Sequence, residues 1–223
     1  MFRISIFEFR ILIKQDVENI FILFYYLIMA KKFSEPTLDA LFDSPIKVKL
    51  LKLFVYNPDG DFESKAVSKK LNLKSAQVNK NISNLAEIKF LNCKNSNGKK
   101  TFRVNRDFGF YNELKELVTK ASPASKEKML KSFKSLGKIK LALLAGVFIN
   151  SDTSRADLLI VGDNIKPAKF NNFIKKLEAE VGKEISYALM TTKEFHYRYD
   201  MYDRFIRDLL DFKHEKLINK LKI

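Results

Sequence analysis

One cysteine, two histidines and no apolar stretch of membrane length set the first limits on this 223-residue chain. Cys93 stands alone, so no disulfide can form within the sequence, and a reducing, cytoplasmic setting is expected. It sits in an apolar, strand-like run, where a lone thiol more often fills space than reacts. With only His196 and His214 beside it, a structural zinc site lacks ligands, and no cofactor is expected. The apolar run Ile20–Ile28 falls short of the about 20 residues a spanning helix needs, and Asp16 and Glu18 interrupt any longer span. A secretory leader needs a basic head and a small-residue cleavage site, and only Arg3 and Arg10 hint at the first. No membrane partner is expected.

Acidic residues are also scarce: 26 Asp and Glu face 41 Lys and Arg, a formal net charge of +15. Such a surplus favours a polyanionic partner, nucleic acid or an acidic membrane face, over the plainer reading of a lysine-rich surface kept for solubility. Its distribution narrows the choice. Residues 64–106 hold eleven basic side chains and one acid, Glu87, the densest basic stretch of the chain. A hydrophobic content of 46% is enough for a buried core, and the length suits one large domain or two ordinary ones.

Residues 1–37 read as an N-terminal extension. Met1–Ile28 is much richer in Phe, Ile and Tyr than the remainder of the chain, and Met29-Ala30-Lys31-Lys32 resembles an ordinary cytoplasmic start. Two readings stay open: residues 1–28 lie upstream of a true start at Met29, or they add a strand or helix to the core, as the short alternation Phe2, Ile4, Ile6 suggests.

Ser44-Pro45 is a helix opening, N-cap followed by first-turn proline, and Ile46, Leu50, Leu51 and Phe54 then form one stripe. Asn57-Pro58-Asp59-Gly60 stops that helix. Ser64–Leu71 places Ala66, Val67 and Leu71 on one face, and after the turn Asn72-Leu73-Lys74 a third helix, Ser75–Glu87, carries Val78, Ile82 and Leu85. Two short helices so joined are a helix-turn-helix. The opposite face of the third helix offers Ala76, Gln77, Lys80, Ser83 and Asn84, polar and without a carboxylate, a set suited to base edges and phosphates. Phe90–Lys94 and Thr101–Asn105, joined through Asn97-Gly98, read as a hairpin. Lys99 and Lys100 at its tip, Lys94 and Arg103 on its arms, and Lys74 in the turn complete the candidate DNA-binding set. Tyr111, Leu114, Leu117 and Val118 mark a closing helix, and Ala121–Ser125 a linker.

Taken in this order, residues 38–121 resemble winged-helix transcriptional regulators, the basic hairpin being the wing. The resemblance implies double-stranded DNA as partner; a module that binds protein instead is the alternative.

Beyond a basic helix around Lys126–Leu136, strands Ile139–Gly146, Asp157–Val161 and Ile185–Met190 alternate with a helix over 167–181, and helices from Thr191 and over Phe205–Leu210 follow, an α/β layering. This order resembles the minimal nucleotidyltransferase domain of the DNA polymerase β-like superfamily, over residues 122–223. Members carry Gly-Ser after the first strand and an Asp-x-Asp pair at the second, which holds magnesium. Here Gly146 is followed by Val147, and Arg155-Ala156-Asp157 stands where the pair belongs. A fixed cation in place of a ligand repels a divalent metal, and Ser186 near the expected third carboxylate is no ligand (Glu184 is the nearest acid). The resemblance therefore implies a catalytically inactive domain without metal, in which Gly146, Val147, Arg155 and Asp157 could hold an anion or nucleotide. The other role open to it is a scaffold for dimerisation. His196-Tyr197-Arg198-Tyr199, Tyr202 and Arg204 could stack on nucleic acid, though aromatics at helical spacing more often pack.

The expected whole is an α+β chain: an N-terminal winged helix-turn-helix domain followed by a small α/β nucleotidyltransferase-like domain. Its expected role is DNA-binding transcription regulator and pseudoenzyme, with a homodimer and a nucleotide effector as further partners. An active nucleotidyltransferase and an RNA-binding accessory factor are the alternatives.

Overall fold

The computed structural model describes residues 37–223 apart from Asn97, Ser122, Pro123 and Asp152. The expectations about residues 1–36, including a start at Met29, lie outside the described residues, as do Asn97 of the hairpin turn and Ser122-Pro123 of the linker.

Thr37–Ile223 make one compact unit of mixed α and β structure, with two small sheets. Helices α1 (Thr37–Leu41) and α2 (Pro45–Tyr56) come first. Ser44 caps α2 as its sequence predicts, its hydroxyl accepting from Lys47 N at 3.3 Å. Strand β1 (Phe62–Glu63) leads into α3 (Ser64–Leu71), and Asn72, at φ +51°, turns the chain towards α4 (Ser75–Glu87). Asn tolerates this left-handed conformation better than most side chains. Hairpin strands β2 (Leu91–Ser96) and β3 (Lys99–Val104) follow, then α5 (Tyr111–Lys120). The first sheet has the order β1-β3-β2, all antiparallel.

In this first part Val67, Leu71, Val78, Ile82 and Leu85 bury as their spacing predicts. Two positions differ. Ala66 is exposed, and Ser68 points inward instead, its hydroxyl donating to Leu73 O at 3.1 Å and lying 3.0 Å from Ser75 Oγ. That pair of contacts fastens the turn between α3 and α4. Cys93 is exposed, because β2 faces the core with Leu91 and leaves the next residues in solvent.

The second part opens on α6 (Lys126–Leu136), capped by Ser125, which with Ala124 is buried; the end of the expected linker is thus packed. Strand β4 (Lys138–Leu144), a 3-10 turn (Gly146–Ile149), β5 (Leu158–Asp163), α7 (Pro167–Val181) and β6 (Tyr187–Met190) follow. Helices α8 (Thr192–Asp200) and α9 (Arg204–Asp211) and strand β7 (Glu215–Asn219) complete the chain. The sheet order is β6-β5-β4-β7; β5 and β6 run parallel, joined by α7, as a parallel pair requires a crossover. Strand β7, antiparallel to β4, is absent from the sequence-based expectation, since Glu215–Asn219 is a half-buried edge strand with little apolar signal.

Alternation sorts the strand residues between two helical layers. Ala142, Leu144, Leu158 and Ile160 pack with Phe133 of α6 and Phe173 and Leu177 of α7. Leu141, Leu143, Leu159 and Val161 pack with Phe195 of α8 and Ile206 and Leu209 of α9. Burial on both faces makes these strands continuous apolar runs.

The two parts meet along α2. Seven of its twelve residues are buried, Lys52 and Leu53 among them, well beyond the one stripe its sequence predicts. The cause is α7: Gly182, the C-cap of α7, lies against the α2 backbone, and Asn57 Nδ2 donates to Gly182 O at 2.8 Å and to Leu53 O at 2.7 Å. Tyr56 packs against the cores on both sides.

Candidate nucleic-acid interface

Helix α4 rests on the first core through Val78, Ile82 and Leu85, which leaves Ala76, Gln77, Lys80, Ser83 and Asn84 in solvent. Asn79 shares this exposure, though its sequence position does not predict it; its 100° offset from Val78 puts it at the border of the face. Asn84 borders a small apolar groove with Ile88, Phe90 and Phe108, so it lies at the opposite edge. Glu87, also exposed, stands one turn beyond the face at its C-terminal end. Lys74, exposed at the N-cap of α4, makes no side-chain cap bond, and the first-turn amides of α4 have no side-chain acceptor there. Such an open N-terminus favours an anion.

The hairpin differs from its expected form in one respect. Lys94, Lys99 and Lys100 are exposed, but Lys99 and Lys100 belong to β3, because Ser96 pairs with Lys99 across a two-residue loop. Lys100 Nζ lies 5.5 Å from the Phe102 ring centre and Lys99 Nζ 3.4 Å from Glu63, an exposed pair that costs little to open. Arg103 is committed elsewhere. Its guanidinium grips both carboxylate oxygens of Asp61, with Nε donating to Oδ1 at 3.0 Å, and this bond holds the Asp61 carboxyl below the usual aspartate range. Arg103 therefore ties the hairpin to the loop before β1. A carboxylate 42 residues earlier in the chain is invisible to a local reading of the strand.

The four residues expected to form an anion site are split. Gly146, at φ +48°, lets the chain turn directly over Asp157; a Cβ there would collide with the Asp157 carboxylate. Asp157 Oδ1 accepts from Val147 N at 2.7 Å and Oδ2 from Ser186 N at 2.9 Å, so the carboxylate straps the Gly146 turn and the start of β6 to β5. Arg155 does not join them. Its Nε donates to Asp208 of α9, with Arg204 4.0 Å from the same carboxylate, which corrects its expected place in the anion site. Asp163, at the end of β5, does similar work: it accepts from Thr192 N at 3.1 Å and Thr192 Oγ1 at 2.7 Å. These bonds and Lys140 keep its carboxyl below the ordinary range.

Two magnesium ions find no fit at this turn. A single carboxylate faces Gly146, each of its oxygens already accepts a backbone amide, and the next expected ligand is a serine. No group of three or more metal-ligating side chains lies among the described residues.

The aromatic tail also departs from expectation. Phe195 is the residue that packs, fully buried, whereas Tyr197 is 67% and Tyr202 73% exposed. The arginines beside them are paired: Arg198 with Glu194 at 2.9 Å and Arg207 with Asp211 at 3.6 Å.

Comparison with known protein families, with curated proteins and with solved structures gives no match. Among the described residues no helix is long and apolar enough to cross a membrane.

Proposed function

We propose that the chain is a cytoplasmic DNA-binding transcription regulator. In this reading residues 38–121 act as a winged helix-turn-helix. Residues 122–223 are a nucleotidyltransferase-like domain without catalysis, kept as sensor or dimerisation scaffold. The observation that carries the reading is the exposed face of α4 from Ala76 to Asn84, free of carboxylates, with Lys74 exposed at its N-cap and the exposed lysines of the hairpin following in the chain. The order α2, β1, α3, α4, hairpin, with β1 closing the sheet against β3, supports the winged-helix assignment. The mixed sheet with a glycine turn between its first two strands supports the second assignment.

On a duplex, α4 enters the major groove. Gln77 and Asn84 have the paired donor and acceptor that adenine requires, Lys80 suits guanine or a phosphate, and Ala76 offers a methyl contact to thymine. Lys94, Lys99 and Lys100 meet phosphates and add affinity without sequence choice. A homodimer would read paired half-sites. Lys80→Ala is expected to weaken operator binding by about 1–3 kcal/mol if the amine reads a base. Fluorescence anisotropy on a selected operator measures this, and an unchanged affinity removes Lys80 from the contact. Neutralising Lys99 and Lys100 together is expected to reduce the salt slope of binding by up to about two counterions, less whatever Glu63 already neutralises. A slope identical to the wild type takes the hairpin off the DNA.

The exposed Tyr197 and Tyr202 are what an RNA-binding accessory factor would use, and the neighbouring Arg198 and Arg207 are held only in exposed ion pairs that cost little to open. Competition of RNA against duplex DNA separates the two readings: RNA displacing operator DNA at equal concentration favours the accessory factor over the regulator.

A further inference from the structure

A cleft of about 800 Å³ opens between the end of α2, α5, the Gly146 turn and the segment after α7. That is the size of sites that take metabolites. We propose that it binds a phosphorylated, hydroxyl-bearing metabolite without metal, with Lys115 and Lys183 on its phosphate. The proposal deepens the sensor reading and rests on it.

Two lysines of the lining are available to an anion. Lys115 comes from α5 and Lys183 from beyond α7, and among the described residues neither has an ion-pair partner. Two acids also line the cleft. Asp157 has each oxygen on a backbone amide, and Glu184, at the solvent-exposed rim, lies 3.7 Å from Lys70. The lining is formally balanced, two carboxylates against two lysines, and the ammonium groups, from different parts of the fold, are the charges left open to a ligand. Arg155, the cation expected at this turn, faces α9 and plays no part.

The hydroxyls define the rest of the ligand. Thr119 Oγ1 donates to Lys115 O at 2.8 Å and Ser154 Oγ to Ala156 O at 2.7 Å. A hydroxyl has one proton, so towards the cleft these two can only accept. They call for O–H or N–H groups on the ligand, which inorganic phosphate at neutral pH supplies poorly and a sugar or nucleoside supplies well. The Tyr56 hydroxyl, in the wall formed by α2, is buried and has no partner among the described residues. Burial raises its pKa, so it stays a neutral donor. The oxygen is closed to solvent, so a ligand in the cleft meets other atoms of Tyr56.

Position gives the site a use. Tyr56 ends the helix whose Leu51 packs in one core with Leu85 of α4. A ligand that engages Tyr56 therefore acts on the element that seats the DNA-facing helix.

The test uses the full chain in EDTA with three probes: adenosine monophosphate, ribose 5-phosphate and inorganic phosphate, followed by calorimetry and thermal melting. At least one organic phosphate is expected to bind and raise the melting temperature, and inorganic phosphate to bind at least about tenfold more weakly, having few donors to give. Ribose 5-phosphate binding as well as the nucleotide assigns the site to sugar phosphates; binding of the nucleotide alone assigns it to nucleosides. Lys115→Gln and Lys183→Gln are each expected to weaken binding by about tenfold, the loss of a charge-assisted contact, with the melting temperature of the free protein unchanged. The inference is overturned if no probe binds, if binding requires magnesium, if inorganic phosphate binds as tightly as the organic probes, or if both lysine variants bind normally. Operator binding is measured on the same samples. Its loss with ligand binding intact sinks the regulator reading alone; ligand binding absent with operator binding intact sinks the cleft alone.

Discussion

Gly182→Val is expected to lower the stability of the protein by about 3–4 kcal/mol, combining a left-handed backbone with overpacking. Gly182 stands at φ +81°, where a β-branched side chain is strained whatever the space. Space is missing too. A Cβ would lie 2.7 Å from Leu53 N, 2.9 Å from Leu53 Cα and 3.0 Å from the Lys52 carbonyl carbon, all backbone atoms of α2 that cannot swing aside. The displacement would also strain the bond from Asn57 Nδ2 to Gly182 O. For a unit of this size each kcal/mol moves the melting temperature by about 2–4 °C, so a fall of about 10 °C is expected in a calorimetric scan. Gly98→Val is the control. Gly98 has a similar φ of +72° but nothing within 4 Å of its would-be Cβ, so only the conformational cost applies. Equal losses in the two variants would mean that α2 and the end of α7 are not in backbone contact.

Asp157→Asn is expected to destabilise by about 2–3 kcal/mol, the loss of a charge-assisted bond together with a donor left facing a donor. The native carboxylate accepts from Val147 N and Ser186 N, one oxygen each. An amide has a single oxygen, so its NH₂ group must face one of those two N–H groups. The sign separates two roles for this residue. A carboxylate held for metal chemistry is commonly neutral or stabilising to remove, because functional sites trade stability for activity; a structural strap is costly to remove. The companion measurement is incubation of the wild type with magnesium and labelled nucleotide, in which no transfer is expected. A stable Asp157→Asn protein, together with a wild type that labels an acceptor, would restore the enzyme reading.

The apolar spacing of Val78, Ile82 and Leu85 is enough to orient α4 and to name most of its outer face, because a helix on a core obeys a local period. Ala66 and Ser68 show the limit of that rule. Which of two small residues turns inward depends on a partner for the hydroxyl, and Leu73 O and Ser75 Oγ supply it. Non-local partners account for the remaining misses. Arg103 reads as a wing cation until Asp61 is beside it, and Arg155 reads as an anion ligand until Asp208 takes it. The tyrosines of α8 read as packing because their spacing is helical, yet one residue, Phe195, fills the core and leaves Tyr197 outside. The cleft is the least legible feature. Its walls come from segments far apart in the sequence, and Lys115, Lys183 and Tyr56 carry no motif that would draw them together.

Because the last turn of α2 serves two masters, neither part of the chain is self-sufficient. A fragment cut after Ala121 would bare the Lys52–Leu53 backbone and the Tyr56 ring to water, and a fragment begun at Ala124 would leave the Gly182 carbonyl without the Asn57 amide. Dissection by truncation would thus create two sticky remnants where point substitution leaves an intact object.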